Sequence, residues 1–230
     1  MSGMSTQTAR RLGKIVGLRN GIIPDTPTTS DIVRDLRENY LARDRAALTA
    51  IRDPKYPGRH WIIRSWLHEY SVIRRTWKTK LKVSPLFQAE KTVNAALKYV
   101  DKSIQCQSGR PGGLTALTRD NLVAYFDELE GHCEAVTGID QVSLASKILW
   151  LCFPNAAPMY DSFARTALNP SIKGTLSARS SSRKYEAFIR DWFELYDAYR
   201  LQTEAFALSA GVFPIRTFDW ALMRASPIRN

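Results

Sequence analysis

The sequence has few of the residues that build metal centres and disulfide frameworks. It contains three cysteines and three histidines among 230 residues. The cysteines show no CxxC spacing and the histidines no HExxH pattern, so neither a zinc site nor any other metal is predicted. An odd, unpaired set of cysteines also argues against a disulfide framework and favours a reducing cytoplasm as the location. No cofactor is expected.

Long apolar runs and strand patterns are also missing. No segment reaches the roughly 18 apolar residues of a membrane span, and residues 1–21 lack the hydrophobic region of a signal peptide. We therefore expect no membrane partner. Alternation with a period of two residues is absent throughout, which excludes a confident β-strand.

Positive charge is in excess. The chain has 33 Lys and Arg against 22 Asp and Glu, a formal net charge of +11 and a pI near 9.8. Such a surface favours polyanions through counterion release, so nucleic acid is the leading partner class, and double-stranded DNA is the partner that we predict within it. A basic surface that serves solubility alone is the alternative.

Helical patterns fill most of the chain. A cap at residues 28–30 precedes the first amphipathic segment, and Pro- and Gly-containing breaks separate the later ones. The predicted helices cover residues 31–53, 59–82, 85–104, 117–136, 143–153, 162–168, 183–210 and 215–225. We predict an all-α protein: a basic arm over residues 1–27, then one compact, two-lobed domain of about eight helices over 28–230. We expect a basic cleft, with a lobe boundary at SGRPGG, residues 108–113.

The segment SLASKILWLCFPNAAPMYDSFARTAL, residues 143–168, carries the candidate chemistry. Lys147 lies near the start of an apolar helix, where burial and the helix dipole both lower the pKa of an amine and make it nucleophilic. Asp161 opens the next helix as a natural N-cap, so it stays ionised and can stabilise a cation or orient a water. Structural roles are the alternative: a cap for Asp161 and a snorkelling lysine for Lys147.

The same segment resembles the catalytic segment of the helix-hairpin-helix DNA glycosylase superfamily, whose members include endonuclease III-like and 8-oxoguanine glycosylase-like enzymes. There, a lysine near a helix start is followed by a Pro-containing turn and an aspartate that opens the next helix. The resemblance implies that Asp161 activates water or stabilises the sugar cation. It implies that Lys147 attacks the sugar in members with lyase activity. Where the family has a glycine-rich hairpin before the lysine, this chain has one glycine, Gly138.

Basic segments supply the candidate contacts to nucleic acid. The segment 59–82 carries seven cations and one acid, and the loop 172–184 combines cations with serines. The predicted phosphate-binding residues are Arg59, Arg64, Arg74, Arg75, Lys78, Arg165, Lys173, Arg179, Arg183 and Lys184. Aromatic side chains could hold an extruded base, and Trp61, Trp66 and Tyr160 are the candidates. Helical spacing favours a core stripe for the apolar residues of this segment, which are Trp61, Trp66, Tyr70, Ile73 and Trp77.

These observations predict a DNA N-glycosylase that flips out a damaged or modified base and cleaves its glycosidic bond with Asp161, with Lys147 available for a lyase step. Such an enzyme serves base excision repair or defence against modified foreign DNA. The alternative is a non-catalytic, all-α nucleic-acid-binding protein with a degenerate glycosylase fold. A partner-binding or membrane-surface protein is a third possibility.

Overall fold

The computed structural model describes residues 34, 36–70, 85–105, 119–168 and 181–225. These residues form α-helices, two π-helical turns and connecting turns, and none of them lies in a β-strand. The helices are α1 (Ala42–Arg52), α2 (Arg59–Glu69), α3 (Pro85–Tyr99), α4 (Arg119–Thr137), α5 (Val142–Cys152), α6 (Ser162–Leu168), α7 (Ser181–Ala210) and α8 (Pro214–Ala225). The π-helical turns are Leu36–Leu41, before α1, and Val100–Gln105, after α3. The predicted all-α class is confirmed.

Glycine and proline set several helix boundaries where the sequence predicts them. The break at residues 53–58 separates α1 from α2, and Gly58 stands before α2 with φ 69°. Gly211, with φ 67°, ends α7, and Pro214 is the first residue of α8. Glycine adopts positive φ without steric strain, and proline at the first helical position loses no hydrogen bond.

Two differences between the predicted and the observed helices concern the candidate site. The helix predicted to run from residue 59 to 82 ends at Glu69, and Tyr70 is its C-terminal cap. Residues 71–84 lie outside the described part of the chain. Helix α5 begins at Val142, so Lys147 lies in its second turn rather than its first.

The chain divides into two compact units. Among the described residues, unit 1 contains 34, 36–42, 160–168 and 186–225, and unit 2 contains 43–70, 85–105, 119–159 and 181–185. The segment 108–113 lies outside the described residues, but the helices that flank it, α3 and α4, pack against each other within unit 2. The lobe boundary predicted at that segment therefore stays a prediction.

Unit 2 is a stack of helices around aromatic pairs. Helix α3 packs against both α2 and α4, and α4 packs against α5. Trp66 of α2 stacks on Trp150 of α5 with ring centroids 6.0 Å apart. Phe126 of α4 stacks on Tyr185 at 4.1 Å. Helix α5 is buried on nearly all sides, as its largely apolar sequence requires.

A buried carboxylate ties α1 to α2 inside unit 2. Oδ1 of Asp44 accepts hydrogen bonds from Trp66 Nε1 at 2.8 Å and from the Tyr70 hydroxyl at 2.7 Å. Asp44 is 2% exposed. A buried carboxylate is stable only where donors replace its water, and these two side chains do so.

Unit 1 is organised around Trp192 of α7. Its ring stacks on Tyr196 and meets the edge of Phe218, both with centroids 4.9 Å away. Its Nε1 donates to Asp219 Oδ1 at 2.8 Å. Helix α6 packs against α8 in the same unit. This packing holds α6 in place, and Asp161 is the residue directly before that helix.

A search of the described residues finds no helix that is both long enough and apolar enough to cross a membrane.

Candidate active site and nucleic-acid surface

Asp161 immediately precedes α6 and is held in a defined orientation. Its Oδ1 accepts the backbone N–H of Phe163 at 2.8 Å, and its backbone carbonyl accepts the N–H of Arg165 at 2.9 Å. This is the side-chain geometry of an N-cap, and the predicted capping role is confirmed. The other carboxylate oxygen, Oδ2, has no hydrogen-bond partner among the described residues. Asp161 is half-buried, so one oxygen anchors the helix while the second remains available.

Tyr160 fixes the chain as it enters α6. Its side chain is buried and meets the ring of Phe188 edge-on, with centroids 5.1 Å apart. Its hydroxyl accepts a hydrogen bond from Arg165 Nη1 at 3.3 Å. Arg165, predicted to bind phosphate, thus has an internal partner in this structure. These contacts restrict the direction in which the Asp161 carboxylate can point.

Lys147 is enclosed within unit 2. It is 2% exposed, and its Nζ donates to Ser143 Oγ, one turn earlier in α5, at 3.0 Å. The side chain does not snorkel to water, because α5 is covered by protein on the side from which Lys147 projects. The expected effect of the helix dipole on this amine is also mostly lost, because that effect falls off within the first turn of a helix and Lys147 lies in the second.

The turn between α4 and α5 precedes the helix that carries Lys147, which is where the resemblance implies a phosphate-binding hairpin. Gly138 has φ 69° and donates its N–H to the carbonyl of Glu134 at 2.7 Å, a common way to end a helix. The N–H of Gln141 donates to Glu130 Oε1 at 2.8 Å. Both backbone donors are therefore satisfied inside the protein, whereas a phosphate-binding hairpin presents such donors outward.

Acidic side chains surround this turn. The carboxylate oxygens of Glu130, Glu134 and Asp140 lie within 4.8 Å of one another. Lys184 forms an ion pair with Asp140. Like charge this dense repels a phosphate, so the turn is unsuited to the contact that the resemblance implies. Lys184, predicted to bind nucleic acid, here neutralises one of these acids.

Arg59 has an internal role. It is buried, and its two terminal nitrogens donate to both carboxylate oxygens of Asp101 at 2.8 and 2.7 Å. One of them also donates to the carbonyl of Ile51 at 3.1 Å. A bidentate ion pair of this kind is strong and geometrically specific. The guanidinium of Arg59, which the sequence predicts to bind phosphate, is thus engaged in this internal ion pair.

The tryptophans of α2 lie on opposite sides of the helix. Trp66 is in the core, with its ring on Trp150 and its nitrogen bonded to Asp44. Trp61 is 67% exposed. The core stripe predicted for this helix therefore includes Trp66 but not Trp61. Trp66 and the buried Tyr160 offer no open ring face to a base in this arrangement.

The remaining predicted cations fall into two groups. Arg64 is half-buried on α2, and Arg183 is exposed in the first turn of α7. The others lie outside the described residues: Arg74, Arg75, Lys78, Lys173 and Arg179.

A basic stripe on α3 was missed from the sequence. Lys91, Asn94 and Lys98 are exposed at i, i+3 and i+7 spacing, and Lys102 is exposed in the π-helical turn that follows. Lys98 and Lys102 form no ion pair with any described residue. In the sequence, the helical spacing of these lysines indicates the stripe, whereas the amphipathic pattern of the segment predicts only a helix.

Comparison with known proteins does not place this chain in a family, because no family model, no curated protein and no solved structure matches it.

Proposed function

We propose that this protein is a monofunctional DNA N-glycosylase whose catalytic residue is Asp161. One observation carries the proposal: a carboxylate anchored through Oδ1 to the start of α6, with Oδ2 left without a partner among the described residues. The resemblance of residues 143–168 to glycosylase catalytic segments supplies the reaction class.

The proposed reaction is hydrolysis at C1′ of a deoxyribose. The N-glycosidic bond breaks with its electron pair leaving on the base, which takes up a proton from solvent. A water adds to C1′, and its proton passes to the Asp161 carboxylate and from there to solvent; the products are a free base and an abasic site. A fixed carboxylate suits this step because positive charge develops on the sugar in the transition state.

The environment of Lys147 supports a glycosylase without a lyase step. A lyase nucleophile must place its neutral nitrogen in bonding contact with the sugar carbon. The Nζ of Lys147 is instead enclosed and hydrogen-bonded to Ser143. We therefore assign Lys147 to the structure of α5 and the chemistry to Asp161.

Binding of DNA is proposed to rely on solvent-accessible cations outside the α4–α5 turn. The acids around that turn disfavour phosphate, whereas Arg64, Lys98 and Lys102 make no ion pair with a described residue. Each lysine or arginine that neutralises a phosphate releases counterions and strengthens binding at low salt.

The test is base excision followed by alkaline cleavage of the abasic product. Duplexes that carry uracil, 8-oxoguanine, hypoxanthine, thymine glycol or 5-hydroxymethylcytosine are incubated with the wild type and with Asp161→Asn. We expect strand breaks from at least one duplex with the wild type, and a loss of rate by about a hundredfold or more in the variant. Asparagine keeps the helix cap, so DNA binding should persist.

Borohydride trapping separates the two roles. We expect no covalent adduct with the wild type, and excision should survive in Lys147→Met at reduced or equal rate. Undiminished excision by Asp161→Asn would contradict the proposal, and a trapped adduct that disappears in Lys147→Met would show a lyase. Duplex binding without excision of any of these bases would instead favour a non-catalytic nucleic-acid-binding protein.

A further inference from the structure

The outward face of α2 carries an exposed tryptophan among basic and hydrogen-bonding side chains. Ile63, Trp66 and Leu67 form the buried side of the helix. Trp61, Arg64 and His68 follow one another at i, i+3 and i+7 and lie on the opposite side. Trp61 is 67% exposed and His68 is also exposed. Burial of the first group leaves this second group facing solvent.

Trp61 differs from the other large apolar side chains that stand out in water. Leu201 and Leu208 of α7 are 74% and 85% exposed, but the exposed acids Asp197 and Glu204 share that stretch of helix. On α2, by contrast, the residue one turn after Trp61 is Arg64, which forms no ion pair with a described residue. The leucine-bearing segment is unsuited to a polyanion, and the tryptophan face is suited to one.

Indole and guanidinium together match the two components of a nucleotide. A flat indole stacks on the face of a base, and an arginine one turn away can reach the adjoining phosphate. Stacking requires an uncovered base face, which an intact duplex provides only at its ends. The side chains therefore fit a strand whose bases are unpaired, and the net charge of +11 attracts such a strand from a distance.

We infer that the outward face of α2, defined by Trp61, Arg64 and His68, binds single-stranded nucleic acid by stacking a base on Trp61 while Arg64 contacts the phosphate. The inference does not depend on base excision by Asp161. It adds a preference for unpaired strands to the double-stranded DNA that the sequence predicts as the partner.

Binding to a fluorescein-labelled oligothymidylate and to a duplex of equal length tests the inference. Trp61→Ala should weaken single-strand binding by roughly tenfold, because one stacked base contributes that order of affinity. The salt dependence should stay unchanged, since no charge is removed. Trp61→Phe should restore most of the affinity, and Leu208→Ala is the matched control for loss of an exposed apolar side chain.

Arg64→Gln tests the phosphate contact separately. For the single strand, the slope of log affinity against log salt should fall by about 0.7, the value for one lost phosphate contact. Both variants should unfold at the wild-type urea concentration, because neither side chain is buried in the core.

Wild-type affinity of Trp61→Ala for oligothymidylate would overturn the inference. Equal weakening on the single strand and the duplex would overturn the preference for unpaired bases. Binding to oligothymidylate involves no excision step, so its outcome can be distinguished from success or failure of the reaction proposed for Asp161.

Discussion

Replacement of Asp161 by alanine removes the cap of α6 without touching the core. The Oδ1 atom accepts the Phe163 N–H at 2.8 Å, and alanine leaves that donor without its side-chain acceptor. Asparagine keeps an acceptor oxygen at the same place. Comparison of the alanine and asparagine variants therefore separates the effect of the capping hydrogen bond from the effect of the negative charge at this position.

The expected loss of stability follows from the capping bond. Substitution of a capping Asp by Ala destabilises a helix or protein by about 1 kcal/mol, within a range of about 0.5–2. Helix α6 has only seven residues, so packing on α8 rather than helix propensity holds the rest of it. For a chain of this length, 1 kcal/mol corresponds to a fall in Tm of about 2–4 °C. Asparagine should leave stability within a few tenths of a kcal/mol.

Urea unfolding followed by circular dichroism measures both variants against the wild type. We expect the order wild type and Asp161→Asn together, with Asp161→Ala below them and the dependence on urea unchanged. The excision assay should rank the proteins differently, because both Asp161→Asn and Asp161→Ala should lose excision activity and only the wild type should keep it. Asp161→Ala as stable as the wild type would refute the capping argument. Asp161→Asn as unstable as Asp161→Ala would show that charge, not the cap, stabilises the site.

Two further predictions concern the interior of unit 2. Asp44→Ala removes the acceptor of the buried indole N–H of Trp66 and of the part-buried hydroxyl of Tyr70, and should lower the unfolding free energy by about 3 kcal/mol, measured as a shift in the urea midpoint. Asp44→Asn, which keeps an oxygen, should lose less stability, and equal losses in the two variants would contradict this explanation. Burial raises the pKa of the Cys152 thiol from 9.0 to about 12, so its stabilising contribution is complete below pH 9 and is lost between pH 9 and about 12. The unfolding free energy should therefore fall above pH 9, and this thiol contributes up to about 1.4 kcal/mol per pH unit to the fall. In Cys152→Ala the unfolding free energy should fall less steeply with pH. The same dependence on pH in the wild type and in Cys152→Ala would refute the role of this thiol.

Helix positions could be read from the sequence because their causes are local. Asp161 opens α6 through a bond to a residue two positions later, and Gly211 and Pro214 separate α7 from α8. Each of these features depends on neighbours within one turn. The end of α2 at Glu69 was missed, because the predicted segment continued a helical pattern beyond it.

The roles of the tryptophans required more than a helical pattern. Trp61 and Trp66 are five residues apart, which places them about 140° apart around a helix, so both cannot face one core. The spacing was enough to predict this difference. Which of the two is buried depends on Trp150, which stacks on Trp66 from another helix.

By itself the sequence determined an all-α chain with a net positive charge and an aspartate that opens a helix, because composition and near-neighbour hydrogen bonds decide those properties. Only the tertiary structure decided which charged groups remain at the surface. Arg59 meets Asp101, 42 residues away, and Lys147 is enclosed by the packing around α5. Side-chain burial depends on residues that are distant in the chain, so a pattern of cations cannot distinguish a phosphate contact from an internal ion pair.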